Sequence, residues 1–584
     1  MSLAGLLAGI DRERLRRDVE HIADHIPYRL AGSANGDAMA RYSAARLAEV
    51  GAAGRVEQIP GLVSFPQAGE LLVIDAPEMR VAAQTCGHSA STSSGGLRAR
   101  LVDAAGGSAA DYQRCDARGK IALVDLALAP TRPEKARLAA AAGAAGLVTI
   151  NWGPADGREL PYGSVKPVWG NPDAASDEDA GSLPIPCIGI SRADGLALQA
   201  RVARGATEVQ LHASSDNAWR TVSYTLGEIA GHGDDFIIAG GHQDSWIGPA
   251  ATDNATGSAC LIELARLFAA RRGELRRGLV FGLWEGHETG TMLSSAHYVD
   301  RHWEQLRDHA VAYLQIDQPA CAGAKVWNSH SNTEVRRFQQ EVDAAVLGER
   351  TRRWRRSTKI GDSSFFGLGV PMLASLAAFD DATLRANGNA AFGWWHHTVR
   401  NTLDKVDFDD LVVHVKVFAT YLWTLCTVPV LPFEFASVAS GIAARLRELG
   451  ASGDFDLEPL EQRAAELARL TARLDDAGHR CNTAFEHGEG DEARAQALNA
   501  VLKRLSRLLI SVEATVAGVY GHDPYGLSAQ STLLPALHDI ASVSAMPQGA
   551  QRWRLETSLW RARNRIADAL DNACSLVEQA VART

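Results

Sequence analysis

Strand and helix patterns alternate from about residue 222 to about residue 430, and this alternation restricts the fold more than any other feature of the sequence. The runs "DDFIIAGG" (234–241), "GLVFGLW" (278–284) and "AVAYLQID" (310–317) have the pattern of strands, and "GSACLIELARLFAARRG" (257–273) has that of an amphipathic helix. This order is typical of an α/β fold, in which helices cover a largely parallel sheet. Functional groups of such a sheet lie at the carboxyl ends of its strands.

Changes in the residue pattern along the sequence predict four regions. Single domains usually hold about 100–200 residues, so a chain of 584 residues should form more than one core. Helical patterns open the chain in residues 1–69, and short β-rich runs separated by Gly, Pro and Asp fill residues 70–215. The alternating pattern occupies residues 216–430, and long amphipathic helices follow in residues 431–584.

Composition excludes several classes of partner. A net charge of -10 without a long basic run argues against nucleic acid, and no apolar run reaches the roughly 18 residues of a membrane span. The amino-terminal segment lacks the positive stretch and cleavage site of a secretion signal, and the eight cysteines form no CxxC pair. We therefore expect a cytoplasmic protein with reduced thiols.

Five potential metal ligands follow the predicted strands or the loops beside them. They are His242 in "GGHQDSW", Asp253 in "ATDNATG", Glu288 in "WEGHETG", Asp317 in "LQIDQPA" and His397 in "WWHHTVRNTLDKVD". Two imidazoles and three carboxylates suit a pair of zinc ions, with one bridging carboxylate and an open position for water. A lone histidine is more often a hydrogen-bonded core or surface residue, and a lone aspartate before a helix is more often an N-cap. The prediction of a metal site therefore rests on all five residues together, in this order and in these flanking sequences.

These motifs resemble those of the M28 family of zinc peptidases, and in particular the branch that contains glutamate carboxypeptidase II and transferrin receptor. The segments "GKIALVD" and "IPCIGIS" resemble its inserted protease-associated domain, and "VYGHDPYG" resembles a segment that folds back over the substrate pocket. The resemblance implies an α/β peptidase domain with a mixed, mostly parallel sheet, built from residues 1–69 and 216–430. It further implies a β-rich insertion at 70–215 and a helical domain at 431–584 that forms a homodimer.

The resemblance also implies residue roles. Asp244 would lie directly behind the ligands and orient them. The cofactor would be two divalent ions, expected to be zinc, although manganese or cobalt also suits these ligands. The ligands would divide into a bridging Asp253, a first pair, His242 and Asp317, and a second pair, Glu288 and His397.

The sequence departs from the family at His287. In the family a glutamate that acts as general base directly precedes the ligand glutamate, and here His287 precedes Glu288. Three interpretations remain open. His287 replaces the base, since a neutral imidazole accepts a proton near pH 7; Glu285 serves instead, provided that the strand continues past it; or His287 is an extra ligand that closes the site.

The resemblance leaves the substrate undetermined. Transferrin receptor has lost catalysis together with its ligands, whereas all five ligands remain here, so we expect a hydrolase of a peptide or small amide. The alternatives are an amidase of a non-peptide metabolite and a catalytically silent binding protein.

Pocket residues of the glutamate-releasing relatives are changed in this chain. Pro524 replaces a basic residue beside the retained Tyr525, and "GVPMLASLAAFDD" (369–381) contains no arginine. These changes disfavour selection of an acidic end, and Tyr525, His396 and His522 are the remaining candidate substrate contacts. The aromatic run "FGWWHH" (392–397) indicates either an apolar group near the site or ordinary packing.

Overall fold

The computed structural model describes residues 2–76, 79–174, 184–451, 455–543 and 545–581. Its strands are β1 (Arg55–Pro66), β2 (Ala68–Val73), β3 (Arg80–Thr85), β4 (Leu97–Asp103), β5 (Ile121–Asp125), β6 (Gly146–Ile150), β7 (Cys187–Ile190), β8 (Thr207–His212), β9 (Ser215–Ile229), β10 (Phe236–His242), β11 (Gly278–Trp284), β12 (Ala310–Gln315), β13 (Val326–Ser331), β14 (Arg352–Arg356) and β15 (Met372–Ala378). Its α-helices are α1 (Leu3–Leu7), α2 (Arg12–His25), α3 (Ala34–Glu49), α4 (Ala109–Arg114), α5 (Arg132–Ala141), α6 (Arg192–Arg204), α7 (Thr256–Ala269), α8 (His287–Gly290), α9 (Leu293–Arg301), α10 (Trp303–His309), α11 (Arg336–Leu347), α12 (Asp381–Ala386), α13 (Phe408–Thr427), α14 (Ala436–Gly450), α15 (Glu458–Glu486), α16 (Glu492–Glu513), α17 (Ile540–Val543) and α18 (Ala550–Val581).

A mixed sheet of eight strands organises the first and third regions of the chain. Its order is β1-β9-β11-β10-β12-β15-β13-β14. The central strands β11, β10, β12 and β15 run parallel, whereas β1, β9 and β13 introduce antiparallel pairs. Every residue of β10, β11 and β12 is buried, as expected for strands covered on both faces. The predicted α/β class with a mixed sheet is confirmed, and the carboxyl ends of the three strands open onto one edge.

A closed barrel of seven strands, in the order β2-β3-β7-β6-β5-β4-β8, is inserted between two strands of the sheet. The chain leaves along β1 and returns along β9, and these strands pair antiparallel from Arg55 opposite Leu226 to Pro66 opposite Ser215. The barrel has its own apolar core of aliphatic side chains. The β-rich insertion is thus present, while its boundaries at 70 and 215 stay predictions.

The long helices after residue 431 pack against the peptidase-like sheet region. Leu505 and Leu509 of α16 belong to one continuous apolar cluster that also contains Phe418 of α13. At this junction Ser506 donates a hydrogen bond to the buried Glu334 (Oγ–Oε1, 3.3 Å). Burial and the nearby charge of Glu513 raise the pKa of Glu334 to about 8. The helical region therefore extends the sheet core and carries a titratable contact.

The structure also bears on two features considered in the sequence, membrane-spanning helices and the state of the cysteines. Within the described part of the chain, no helix combines the length and apolar character needed to cross a bilayer. All eight cysteines are free thiols, and the closest approach reported between two of them joins Cys86 Sγ to Cys187 Sγ at 3.3 Å.

Candidate metal centre

The strand ends bring the five predicted ligands to one place. His242 is the last residue of β10, Glu288 lies in the short α8 after β11, and Asp317 follows β12 by two residues. Asp253 lies in an irregular turn just before α7, and His397 lies in the loop after α12. Parallel strands that end at the same edge of a sheet account for this convergence.

Asp253 lies between two pairs of ligands. Its Oδ1 is 3.1 Å from His242 Nε2, which is 3.2 Å from Asp317 Oδ1. Its Oδ2 is 3.2 Å from His397 Nε2, which is 3.0 Å from Glu288 Oε1. A tetrahedral zinc ion with bonds of about 2.0–2.1 Å separates its ligands by roughly 3.3 Å. The donor set and its spacing therefore fit two cations that share Asp253.

Electrostatics at the centre favour positive charge. Burial alone would lower the pKa of His397, but the carboxylates of Glu288 and Asp253 raise it to about 9. Burial likewise opposes protonation of His242, whose pKa is nevertheless raised well above its ordinary value by Asp317 and its other acidic neighbours. A divalent cation would supply the positive charge that these carboxylates otherwise obtain from protons.

Hydrogen bonds behind the ligands fix their orientation. His242 Nδ1 lies 3.0 Å from the carbonyl oxygen of Asp244, which leaves Nε2 for a metal. The carboxylate of Asp244 accepts the backbone N–H groups of His287 (3.3 Å) and Glu288 (3.0 Å). Trp246 Nε1 donates to Glu288 Oε2 at 2.6 Å, so that Oε1 faces His397. Asp244 occupies the position expected for it, whereas Trp246 was not anticipated.

A buried arginine holds the loop that joins two of the ligands. Arg29 is fully buried, and its guanidinium donates to the carbonyls of Gln243 (3.1 Å), Pro249 (3.0 Å) and Ala250 (3.3 Å). These carbonyls lie between His242 and Asp253 in the sequence. Arg29 therefore acts through the backbone of this loop, and nothing in the sequence near the ligands points to it.

Backbone strain concentrates around the same ligands. Positive φ values are uncommon for residues other than glycine and cluster at functional sites, where surrounding structure enforces them. Six such residues of the described chain lie at a ligand or within four residues of one: Ala250 (φ 49°), Thr291 (57°), Met292 (59°), Gln318 (51°), Ala320 (67°) and His397 (56°).

His287 lies beside the first ligand pair. Its ring stacks on His242, with centroids 4.0 Å apart and planes 13° apart. One ring nitrogen lies within 4.8 Å of ligand atoms of His242 and Asp317. Its Nδ1 lies 2.9 Å from Asp362 Oδ2. This placement is compatible with a base and with an extra ligand, and Asp362 is a partner that the sequence did not reveal.

Glu285 lies away from the cluster, which corrects its assignment as an alternative base. That assignment required β11 to continue, but the strand ends at Trp284. The buried Glu285 side chain accepts a hydrogen bond from Gln243 Nε2 (2.9 Å) and packs against Gly36. Glu285 is also not among the described residues that line the cavity over the cluster.

His396 accompanies the second ligand pair. Its Nδ1 is 3.1 Å from Asp253 Oδ2, and its ring stacks on His397 with centroids 3.8 Å apart. Trp152 of the barrel stacks on His396 at 5.3 Å. Each ligand histidine therefore has a second imidazole against it.

A cavity of about 280 Å³ opens over the cluster and is built by three parts of the chain. The barrel contributes Arg132 and Trp152, the sheet region contributes His287 and His396, and the helical region contributes Tyr525. Tyr525 and His396 thus line the cavity, and their role as substrate contacts stays a prediction.

His522 does not belong to the described lining, which corrects its assignment as a substrate contact. It lies against Lys359, with Nδ1 and Nζ 3.3 Å apart. Trp395 in "FGWWHH" is buried against Phe379 rather than lining the cavity, and from this run Phe392 contributes the aromatic surface.

Arg132 supplies a basic group that the sequence analysis missed. Its Nη1 donates to the Tyr162 carbonyl (2.6 Å), and its guanidinium lies 5.8 Å from the Trp152 ring centroid. Its Nε and Nη2 are buried without a hydrogen-bond partner among the described residues. Arg132 is the first residue of α5 in the inserted barrel, far in sequence from Tyr525 and from residues 369–381. Arg132 thus adds a basic side chain to the cavity lining, while selection against an acidic end stays a prediction.

Comparison with known families agrees with this fold. Residues 225–422 match the model of Peptidase family M28, and residues 97–198 match that of the PA domain. The predicted resemblance to peptidase family M28 is confirmed over this part of the chain.

Curated relatives match parts of the chain. Aminopeptidase NAALADL1 of Mus musculus is 31% identical over 19% of this chain and 15% of its own length. A protein named "Probable glutamate carboxypeptidase AMP1" of Arabidopsis thaliana is 24% identical over 62% of this chain and 53% of its own length. The chain thus spans at most about half of these relatives.

A solved structure shows the same fold over a larger share. The zinc aminopeptidase of Bacillus subtilis aligns with a TM-score of 0.55 at 21% identity, covering 72% of this chain and 96% of that one. At this identity the likeness concerns the fold alone.

Proposed function

We propose that this protein hydrolyses a peptide or small-molecule amide bond with two divalent cations bound between His242, Asp317, Asp253, Glu288 and His397. The observation that carries this proposal is the position of Asp253, whose two carboxylate oxygens each face a different imidazole at 3.1–3.2 Å. The match of residues 225–422 to the model of Peptidase family M28 supports it. The cations are expected to be zinc, since one structural neighbour is a zinc aminopeptidase, with manganese and cobalt as alternatives.

Cations bound here would supply Lewis acidity for an amide carbonyl and for the attacking water. The residues of the chain provide the proton transfer. As the water oxygen bonds to the carbonyl carbon, Nε2 of His287 takes the proton that the water loses. When the C–N bond breaks, His287 gives this proton to the leaving amine nitrogen, so that the base is restored.

Arg132 supports one class of substrate. A guanidinium offers several N–H donors in a fixed fork that matches a carboxylate, and burying donors without a partner is costly. The unpartnered Nε and Nη2 of Arg132 therefore favour a ligand that brings a carboxylate into the cavity. A peptide or N-acyl amino acid with a free carboxyl end has this group next to the scissile amide. The protein would then release a carboxyl-terminal residue.

Two further expectations accompany this proposal. By the family resemblance the helical region would form a homodimer, and the protein would act in the cytoplasm. Size-exclusion chromatography with light scattering and cell fractionation test them.

A substrate panel tests the proposed activity. Purified protein is analysed for metal, loaded with zinc or manganese, and assayed on dipeptides that are unmodified, N-acetylated or C-amidated. Two equivalents of metal and hydrolysis that is lost on C-amidation but survives N-acetylation are expected. Loss on N-acetylation instead favours an aminopeptidase and overturns the carboxylate assignment. Metal without hydrolysis of any peptide leaves the non-peptide amidase, and neither metal nor turnover supports a silent binding protein.

A pair of arginine variants tests the anchor. Arg132→Gln should raise KM for the unmodified substrate by about 10- to 100-fold, since a hydrogen bond to a charged group contributes about 1.5–3 kcal/mol. The matched control is Arg114→Gln, in the same barrel but with a side chain that is 71% exposed. Equal KM values for the two variants would contradict the role of Arg132.

A further inference from the structure

A chain of buried hydrogen bonds ends on His287. Asp362 is 1% exposed, and its Oδ2 lies 2.9 Å from His287 Nδ1. Its other oxygen, Oδ1, accepts a hydrogen bond from Ser295 Oγ at 2.8 Å. Ser295 Oγ is 2.8 Å from Ser364 Oγ, which accepts a hydrogen bond from Trp169 Nε1 at 2.8 Å. Both oxygens of Asp362 are thus occupied by fixed partners.

This arrangement decides which nitrogen of His287 faces the cleft. A carboxylate that already accepts a serine hydroxyl also accepts from His287, so that Nδ1 carries a proton. In the neutral ring Nε2 is then the acceptor, because one imidazole nitrogen donates and the other accepts. Stacking on His242 at 4.0 Å restricts rotation of the ring, and His287 lines the cavity.

We propose that Asp362 is a positioning residue that holds His287 by Nδ1 and presents Nε2 to the cleft as the proton acceptor of the hydrolytic reaction. This inference rests on the proposed function. A glutamate base has no tautomer to fix, because either oxygen of its carboxylate accepts a proton. An imidazole accepts at only one nitrogen, so replacing glutamate by histidine creates a need for a group that fixes the tautomer. Asp362, braced by Ser295, meets this need.

Two other roles for the pair make different predictions. If His287 were a metal ligand, Asp362 would support that ligand, and loss of either residue would weaken metal binding. Partners behind a ligand typically contribute about 10- to 100-fold in metal affinity. If Asp362 only stabilised the fold, its loss would act regardless of the residue at position 287.

A double-mutant cycle separates these roles. Wild type, Asp362→Asn, His287→Glu and the double variant are compared for kcat, KM and zinc affinity, the last by competition with a chromophoric chelator. We expect Asp362→Asn to lower kcat about 10- to 100-fold, a share of the 10²- to 10⁴-fold that a positioned base contributes. KM and zinc affinity should stay within about threefold. In the His287→Glu background the same change should alter kcat by less than about threefold.

Two further variants control for misfolding and for the general effect of changing a buried carboxylate. Ser295→Ala removes only the hydroxyl that braces Asp362 and should lower kcat severalfold if Asp362→Asn does not fold. Asp343→Asn is the matched control, because Asp343 is also a buried carboxylate with hydroxyl partners, Ser329 and Tyr421. It should leave kcat unchanged. An equal loss of kcat from Asp362→Asn in both backgrounds, or weaker zinc binding in Asp362→Asn, overturns the inference. If the wild-type protein binds zinc normally but hydrolyses no substrate, the proposed function is wrong instead.

Discussion

The floor and the walls of the cleft are built in different ways. We call His242, Asp253, Glu288, Asp317 and His397 the metal floor, and Arg132, Trp152 and Tyr525 the cleft walls. The floor comes from the carboxyl edge of one sheet, whereas the walls come from the inserted barrel and the helical region. Under the proposed function, bond cleavage and substrate choice would depend on separate parts of the chain. Variants of the floor should abolish turnover, and variants of the walls should change which substrate is preferred.

The largest effect is expected from Asp253→Asn. The amide nitrogen of asparagine replaces one of the two oxygens that face the imidazoles, so the paired site loses its shared ligand. Metal content should fall from two equivalents to one or fewer. Because metal ions contribute several kcal/mol to such reactions, kcat/KM should drop about a thousandfold or more. Elemental analysis and steady-state kinetics measure both, with the exposed Asp409→Asn as control. Retention of two metals with normal kcat/KM would show that Asp253 is not shared.

A smaller effect is expected from a change at Trp246, which donates a hydrogen bond to a residue of the metal floor. Trp246→Phe removes the 2.6 Å hydrogen bond to Glu288 Oε2 while keeping an aromatic ring. Without this bond the ligand carboxylate is free to rotate, and metal affinity should fall about 10- to 100-fold. Chelator competition measures the affinity, and substrate KM at saturating metal should not change. A change in KM alone would place Trp246 among the walls instead.

A wall variant should act on substrate affinity alone. Tyr525→Phe removes the phenol that lines the cavity, and a neutral hydrogen bond contributes about 0.5–1.5 kcal/mol. KM should rise about two- to tenfold with metal content unchanged. Tyr520→Phe is the matched control, since Tyr520 is 83% exposed in the same segment. A fall in metal content in Tyr525→Phe would break the distinction between walls and floor.

The mildest effect concerns the buried contact of Glu334 with the helical region, the part of the chain that also carries Tyr525. Burial first, and then the charge of its neighbour, raises the pKa of Glu334 from 4.5 to about 8, and burial raises that of Glu513 to about 7. The folded state therefore binds more protons than the unfolded state between these values. The stabilisation is complete below 4.5 and is lost as pH rises through about 7 and 8.

Glu334→Gln tests this dependence. The groups that face the pair are Ser506 and Arg507 at Glu334 and Asn332 and Arg356 at Glu513. Each carboxyl changes the free energy of unfolding by at most about 1.4 kcal/mol per pH unit. Between about pH 6 and about pH 9 the wild-type Tm should fall more steeply than that of Glu334→Gln. Parallel curves in thermal denaturation would refute the contribution.

Sequence reasoning located the floor because its signals are local. Each ligand follows a strand or a loop whose pattern is legible within a few residues, as with His242 after "FIIAGG". Parallel strands end at a common edge, so the convergence of such residues follows from the fold class. Asp244 was found for the same reason, since it lies two residues after a ligand.

The walls and the supporting network depend on contacts between distant segments. Arg132 reaches the cleft from another domain, and only the barrel's docking shows it. Asp362 lies 75 positions from His287 in "KIGDSSFF", where nothing marks it as a partner. Arg29 lies 214 positions from Gln243, whose carbonyl it binds. Packing decides these contacts, and a pattern of period two or 3.6 does not encode them.

The antiparallel pairing of β1 with β9 has a consequence for substrate length. Because both ends of the inserted barrel leave from one hydrogen-bonded ribbon, the span from the metal floor to Arg132 is tied to strand geometry rather than to a flexible linker. Two residues added to each strand would preserve which side chains face inward and would carry the barrel about 7 Å farther out. Such a protein would keep its reaction chemistry and accept a substrate longer by about two residues.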